Sequence, residues 1–94
     1  MALARVVSFE GVSSEHMAEM TARMRNEDPP EGLDATELLL LHDPEGEQAV
    51  AVVFFADEEA YRQGDQILDS LPADDTPGRR SSVTKYTVAY RMTA

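Results

Sequence analysis

The sequence is short and strongly acidic. Its 94 residues include 18 acidic and 8 basic side chains, for a formal net charge of −10, and no cysteine. The missing cysteines exclude disulfides, thiolate metal sites and a cysteine nucleophile. Because a field of that sign repels phosphate backbones and anionic lipids, we expect neither a nucleic-acid partner nor a membrane partner.

The length predicts a single domain over residues 1–94. Residues 1–5 lack the apolar core of a signal peptide, and no apolar run approaches the roughly 18 residues needed to span a bilayer. We therefore expect a cytoplasmic protein.

The first two predicted elements are a strand and an amphipathic helix. Apolar side chains recur at alternate positions from about Leu3 to Glu10, which predicts a β-strand. Ser13 and Ser14 are natural helix caps, because a hydroxyl accepts from the free amides of a first helical turn. The helix should end near Asn26, since the prolines at 29–30 cannot continue it.

An antiparallel hairpin and a second helix follow. Two apolar runs, at 36–42 and 48–56, flank a strong turn signal at 43–46. Asp57 then caps a helix that Pro72 closes. The predicted buried stripe of that helix consists of small and apolar side chains: Ala60, Gly64, Ile67, Leu68 and Leu71.

The last predicted element is a strand from about 83 to 92, after a loop at 73–82. Alternation places Tyr86, Val88 and Tyr90 on one face of this strand. The predicted order of elements is therefore β-α-β-β-α-β.

The middle hairpin is apolar on both faces, whereas a sheet with one wet face should alternate apolar and polar residues. Two helices cover only one face of a four-stranded sheet, so the other face needs a further cover. A second copy of the chain is the simplest cover and predicts a homodimer. A different partner chain and an uncovered apolar face are the alternatives.

The element order and the doubly apolar hairpin, which runs through Phe54-Phe55 into the acidic cap at Asp57, resemble the dimeric α/β-barrel superfamily. The pattern is most similar to small uncharacterised bacterial proteins that resemble the antibiotic-biosynthesis monooxygenases. The resemblance implies an α+β, ferredoxin-like βαββαβ fold, with a four-stranded antiparallel sheet and two helices on one face. It also implies a dimeric α/β barrel with a small-molecule cavity between sheet and helices.

Known activities of that superfamily include cofactor-free oxygenation of aromatic compounds, haem degradation and lactone isomerisation. Haem-degrading members use a histidine of the second helix and a tryptophan. This chain has no histidine in its predicted second helix and no tryptophan anywhere, so the resemblance does not extend to haem breakdown. We expect no cofactor.

Four side chains are candidates for catalysis: His16, His42, Tyr86 and Tyr90. A histidine acting as general base needs its substrate within hydrogen-bond reach. The alternatives are solvated histidines and tyrosines that pack in the core or at a subunit interface. The two histidines have no carboxylate at ligand spacing, so we predict no metal site.

A stripe of methionines on the first helix, Met17, Met20 and Met24, is the candidate wall of a ligand cavity, with Tyr86 or Tyr90 supplying a hydroxyl. Core packing is the alternative role for the methionines. Such a cavity would bind a small apolar or aromatic molecule.

Paired positive charge occurs at Arg79 and Arg80, which could clamp an anion or form ion pairs with nearby acids such as Asp74 and Asp75.

The leading hypothesis is a small-molecule-binding homodimer with no identifiable reaction. A cofactor-independent oxygenase or isomerase and a non-catalytic interaction module are the alternatives.

Overall fold

A computed structural model describes residues 1–71 and 76–93. Four antiparallel strands form one sheet in the order β2-β3-β1-β4, and the topology is the predicted ferredoxin-like βαββαβ fold. The elements are β1 (Leu3–Glu10), α1 (Ser14–Asn26), β2 (Glu37–Asp43), β3 (Gln48–Phe55), α2 (Glu58–Asp69) and β4 (Arg79–Thr87).

Side-chain caps define where both helices begin. The Ser13 side chain accepts a hydrogen bond of 3.1 Å from the backbone N–H of His16, and Asp57 accepts one of 2.8 Å from Ala60. Each cap satisfies a first-turn amide that has no partner inside the helix. The predicted end of α1 at Asn26 is also confirmed.

Both helices pack on the same face of the sheet, which we call the helix face. The core beneath α2 joins Leu3 of β1 to Tyr61, and the core beneath α1 joins Val7 and Phe9 of the same strand to Met17. Because alternate residues of a strand share a face, these contacts place the odd-numbered residues of β1 under the helices. The opposite face, on which the described part of the chain places no helix, is called the open face.

α2 approaches the sheet closely at Gly64. A Cβ atom at this position would lie 2.3 Å from Cε1 of Phe55, which is fully buried. Phe55 also makes an edge-on contact with Tyr61, with ring centroids 5.4 Å apart. Gly64 has a low helix propensity and so weakens α2. Its missing side chain leaves room for the aromatic core formed by Phe55 and Tyr61.

The last strand differs from its predicted bounds. It spans Arg79–Thr87 rather than 83–92, and thus includes part of the predicted loop. A register shift between Ser8 and Phe9 of β1 lets the polar start of β4 continue the pairing along that strand. β4 is an exposed edge strand, so its first residues need no apolar alternation to pair. α2 ends at Asp69, and Pro72, which was predicted to close it, lies outside the described residues.

The C-terminal segment leaves β4 and crosses one end of the open face. The Val88 N–H donates to the Ala2 carbonyl at 3.0 Å. Arg91 forms an ion pair with Glu37 of β2, at the opposite edge of the sheet, and its guanidinium carbon lies 4.7 Å from the ring centroid of Phe54. The segment therefore covers part of the open face with chain that was predicted to be strand.

The remainder of the open face presents an apolar patch that spans three strands. In the register of the sheet, Val6 stands opposite Val52, which stands opposite Leu39, and Val50 stands opposite Leu41. The three valines are half-buried and the two leucines are exposed. We call these five residues the open-face patch. The sequence-based expectation that both faces of the hairpin are apolar is thus met in the sheet itself.

Candidate ligand-binding groove

An apolar cleft separates the second half of α1 from the edge strand β2. It is a shallow depression, open to solvent, with a volume of about 240 Å³, and it is lined by Thr21, Met24, Arg25, Leu38 and Leu40. The first half of α1 is anchored because Met17 and Met20 are buried, whereas Met24 is 43 % exposed. The helix therefore buries side chains in the core at its start and leaves a gap over β2 at its end.

A second cavity of about 200 Å³ adjoins the first. It lies where the chain from α1 returns to β2, and its lining consists of Pro29, Leu33, Ala35, Thr36, Glu37 and Leu38. Leu38 borders both spaces, which therefore neighbour each other along β2 and are together called the β2 groove. Each space is smaller than the roughly 300 Å³ at which drug-sized sites begin. The groove therefore suits a small, mostly apolar molecule.

The structure distributes the predicted methionine stripe between core and groove. Met17 packs in the core with Val7 and Phe9, and Met20 is also buried. Only Met24 lines the β2 groove. The core-packing alternative therefore describes Met17 and Met20, and the ligand-binding hypothesis retains Met24.

The two candidate tyrosines do not join the methionines. Tyr86 stands opposite Ala4, whose side chain points to the open face, and it is 53 % exposed. Tyr90 lies beyond the end of β4 and is 81 % exposed. Neither tyrosine lines the β2 groove. Within one protomer the sheet separates Tyr86 from α1, so it supplies no hydroxyl to a ligand held beside Met24.

Both histidines are half-buried and hydrogen-bonded to backbone, so the alternative of solvated side chains describes neither of them. Nε2 of His42 lies 2.9 Å from the Val12 carbonyl, and Nε2 of His16 lies 3.3 Å from the Thr76 carbonyl. Because a carbonyl oxygen only accepts, each Nε2 carries the proton in these contacts. These bonds connect loops to elements, and neither ring lines the β2 groove.

The arginine pair at the start of β4 is engaged in ion pairs. Arg79 pairs with Glu10 of β1, and Arg80 pairs with Asp69 of α2 at 2.7 Å. The partners suggested by proximity in sequence, Asp74 and Asp75, lie outside the described residues. The two side chains therefore stabilise the contact of β4 with its neighbours, and the anion-clamp hypothesis would require them to leave these partners.

A buried arginine was missed by the sequence reading. The Arg5 side chain, on the helix face of β1, is only 5 % exposed; its Nε donates to Asp65 at 2.8 Å and its Nη2 to Asp69 at 3.0 Å. We call Arg5, Asp65, Asp69 and Arg80 the α2 ion cluster. Two signals could have revealed it: Arg5 alternates in phase with Leu3, and the two aspartates are spaced i, i+4 on one helix face.

Tyr61 lies beside this cluster, and burial raises the pKa of its phenol above the ordinary value of 10.0, with the Asp65 carboxylate adding to the rise. An unfolded tyrosine ionises near pH 10 while the folded one stays protonated. The free energy of unfolding should therefore be unaffected by this group below that pH and should fall as the pH rises toward the folded pKa. Urea titrations between pH 9 and 11 should show a shallower fall for Tyr61→Phe than for the wild type; equal slopes would contradict the assignment.

Among residues 1–71 and 76–93, no group of three or more histidine or acidic side chains could hold a metal ion, and no helix has the length and apolar character needed to cross a membrane.

The fold places the chain in the class of small α+β domains with ferredoxin-like topology. No protein-family model matches the chain, and no curated protein matches it either.

Proposed function

We propose that the chain is a small-molecule-binding domain that works as a homodimer of the dimeric α/β-barrel type, similar to the monooxygenase-like proteins of that superfamily. The observation that carries the proposal is the β2 groove, an apolar surface left open between α1 and β2 and lined by Met24, Leu38 and Leu40. The proposal assigns no reaction, because neither His16 nor His42 lies in that lining.

The dimeric half of the proposal is supported by the open-face patch. Leu39 and Leu41 are exposed beside half-buried valines on a face that no helix covers. Sheet-to-sheet packing of two copies would bury both patches, as in other structures built from stacked sheets. Leu38 and Leu40 of the groove then lie on the opposite face of β2 from Leu39 and Leu41 of the dimer surface.

Because of this arrangement, ligand binding and dimerisation can each be tested with a variant that should not affect the other property. Leu38 faces the helices and Leu41 faces the open side, because they stand opposite Val53 and Val50 respectively. Both are exposed leucines of one strand. Leu38→Gln should therefore weaken ligand binding and leave the dimer, while Leu41→Gln should weaken the dimer and leave ligand binding.

The measurements are thermal shift with small phenols and quinones, and sedimentation equilibrium at micromolar concentration. A ligand at 100 times its dissociation constant stabilises the folded state by about 2.7 kcal/mol. For a domain of this size that amounts to a rise in melting temperature of roughly 10 °C or more. We expect the rise for the wild type and for Leu41→Gln, and no rise with nucleotides. Stabilisation by nucleotides alone would count against the proposed site.

A further inference from the structure

We propose that the ligand of the β2 groove is an apolar monocarboxylic acid, whose carboxylate binds Arg25 while its hydrocarbon part lies along Leu38. This inference rests on the proposed function, since it names the ligand class for the same groove. It is carried by the polar side chains of the lining, which among the described residues leave one side-chain donor group for a ligand.

The hydroxyl donors of the groove are already used. Thr21 donates to the backbone carbonyls of Met17 and Ala18, at 3.0 and 3.1 Å. Thr36 donates to the Phe54 carbonyl at 3.2 Å. A ligand with a polar handle would therefore have to draw its hydrogen bonds from another side chain of the lining.

The acidic residue of the groove is also neutralised. Glu37 forms an ion pair with Arg91 of the C-terminal segment. That pair removes the negative charge that would otherwise repel an anion from this part of the surface. The charge left in the lining is then positive.

Among the described residues that line the groove, Arg25 is the remaining charged side chain. It is exposed on the rim of the groove, and no ion pair or hydrogen bond of its guanidinium is present among the described residues. By contrast, Arg5, Arg80 and Arg91 each have a carboxylate partner. The chain has 18 acidic side chains, yet none of those described pairs with Arg25. Because this guanidinium lies beside an apolar groove, a ligand with a negative charge could pair with it.

The surroundings favour a single negative charge over a double one. Arg25 belongs to the last turn of α1, where the free carbonyls give the helix end a partial negative charge. One arginine compensates a carboxylate but not a phosphate dianion in that position. The apolar lining of Met24, Leu38 and Leu40 contributes the rest of the binding through burial of hydrocarbon.

The test compares two ligands with one hydrocarbon chain and different heads, octanoate and 1-octanol, titrated into the wild-type protein and followed by amide chemical shifts at 150 mM salt. An exposed charge contact supports a preference for octanoate of about threefold to fivefold. Arg25→Gln should remove that preference, and Arg25→Lys should keep most of it because the charge remains. Arg62→Gln, on α2, is the matched control: it removes an exposed arginine that does not line the groove and should leave the preference unchanged.

The outcomes separate this inference from the proposed function. Equal affinity for octanoate and 1-octanol, with shifts confined to the β2 groove, would overturn the carboxylate assignment and leave the binding function intact. A preference that survives Arg25→Gln would also overturn it. Binding of neither compound at the groove would contradict the proposed function and, with it, the inference.

Discussion

Val53→Asp should abolish the folded state. Val53 is 3 % exposed, lies on the helix face of β3 and packs with Leu3 and Phe55 beneath α2. A carboxylate there would be buried without a partner, at a cost of several kcal/mol. Because small domains are stable by only about 5–15 kcal/mol, that cost removes much or all of the stability. Far-ultraviolet circular dichroism should show no cooperative melt.

Val52→Asp is the matched comparison, because it makes the same change one residue earlier on the opposite face of the same strand. Val52 belongs to the open-face patch and is half-buried in the single chain. We expect this variant to fold but to sediment as a monomer, whereas the wild type should sediment at twice the chain mass. A wild-type monomer, or a Val52→Asp dimer, would disprove the sheet-to-sheet interface. An unchanged melt of Val53→Asp would disprove the burial of the helix face.

Removing both carboxylates of the α2 ion cluster should destabilise the fold more than removing its arginine. In the double variant Asp65→Asn, Asp69→Asn, the buried guanidinium of Arg5 keeps its charge and loses both acidic partners. Breaking a buried pair in this way costs about 3–5 kcal/mol. Arg5→Met removes the buried charge and leaves two aspartates that are partly exposed, one of which retains Arg80.

The free energies of unfolding from urea titrations provide the measurement. We expect the order wild type, then Arg5→Met, then the double variant, with the double variant the least stable. Glu58→Gln is the control, since it breaks the exposed ion pair with Lys85 and should cost at most about 1 kcal/mol. If Arg5→Met were as unstable as the double variant, packing of the arginine stem would matter more than compensation of its charge.

Features that depend on neighbouring residues in the chain could be predicted from the sequence. The caps at Ser13 and Asp57, the end of α1 and the turn between β2 and β3, which lies at 44–47, are each determined by groups within a few residues. The two apolar runs of the hairpin also predicted the two middle strands, and the full order of predicted elements carried the resemblance that implied the ferredoxin-like fold. These are local effects, and the backbone responds to them in the same way in most contexts.

Other features were decided by contacts between distant parts of the chain. The polar start of β4 became strand because β1 offered it a partner, and Arg5 became buried because α2 placed two carboxylates above it. Tyr86 lies on the open face because its pairing with Ala4 sets its direction. Composition and periodicity do not encode such pairings, since strand register and helix position are set by the packing of the whole domain.

The β2 groove is also a feature that contacts between distant parts of the chain decided. Met24, Arg25 and Leu38 come from two elements that the loop between α1 and β2 separates in sequence, and no motif relates them. The sequence by itself determined that α1 carries a methionine stripe. Tertiary structure alone decided that the first half of the stripe is core and that its last residue borders a groove, because α1 is anchored at one end and stands away from β2 at the other.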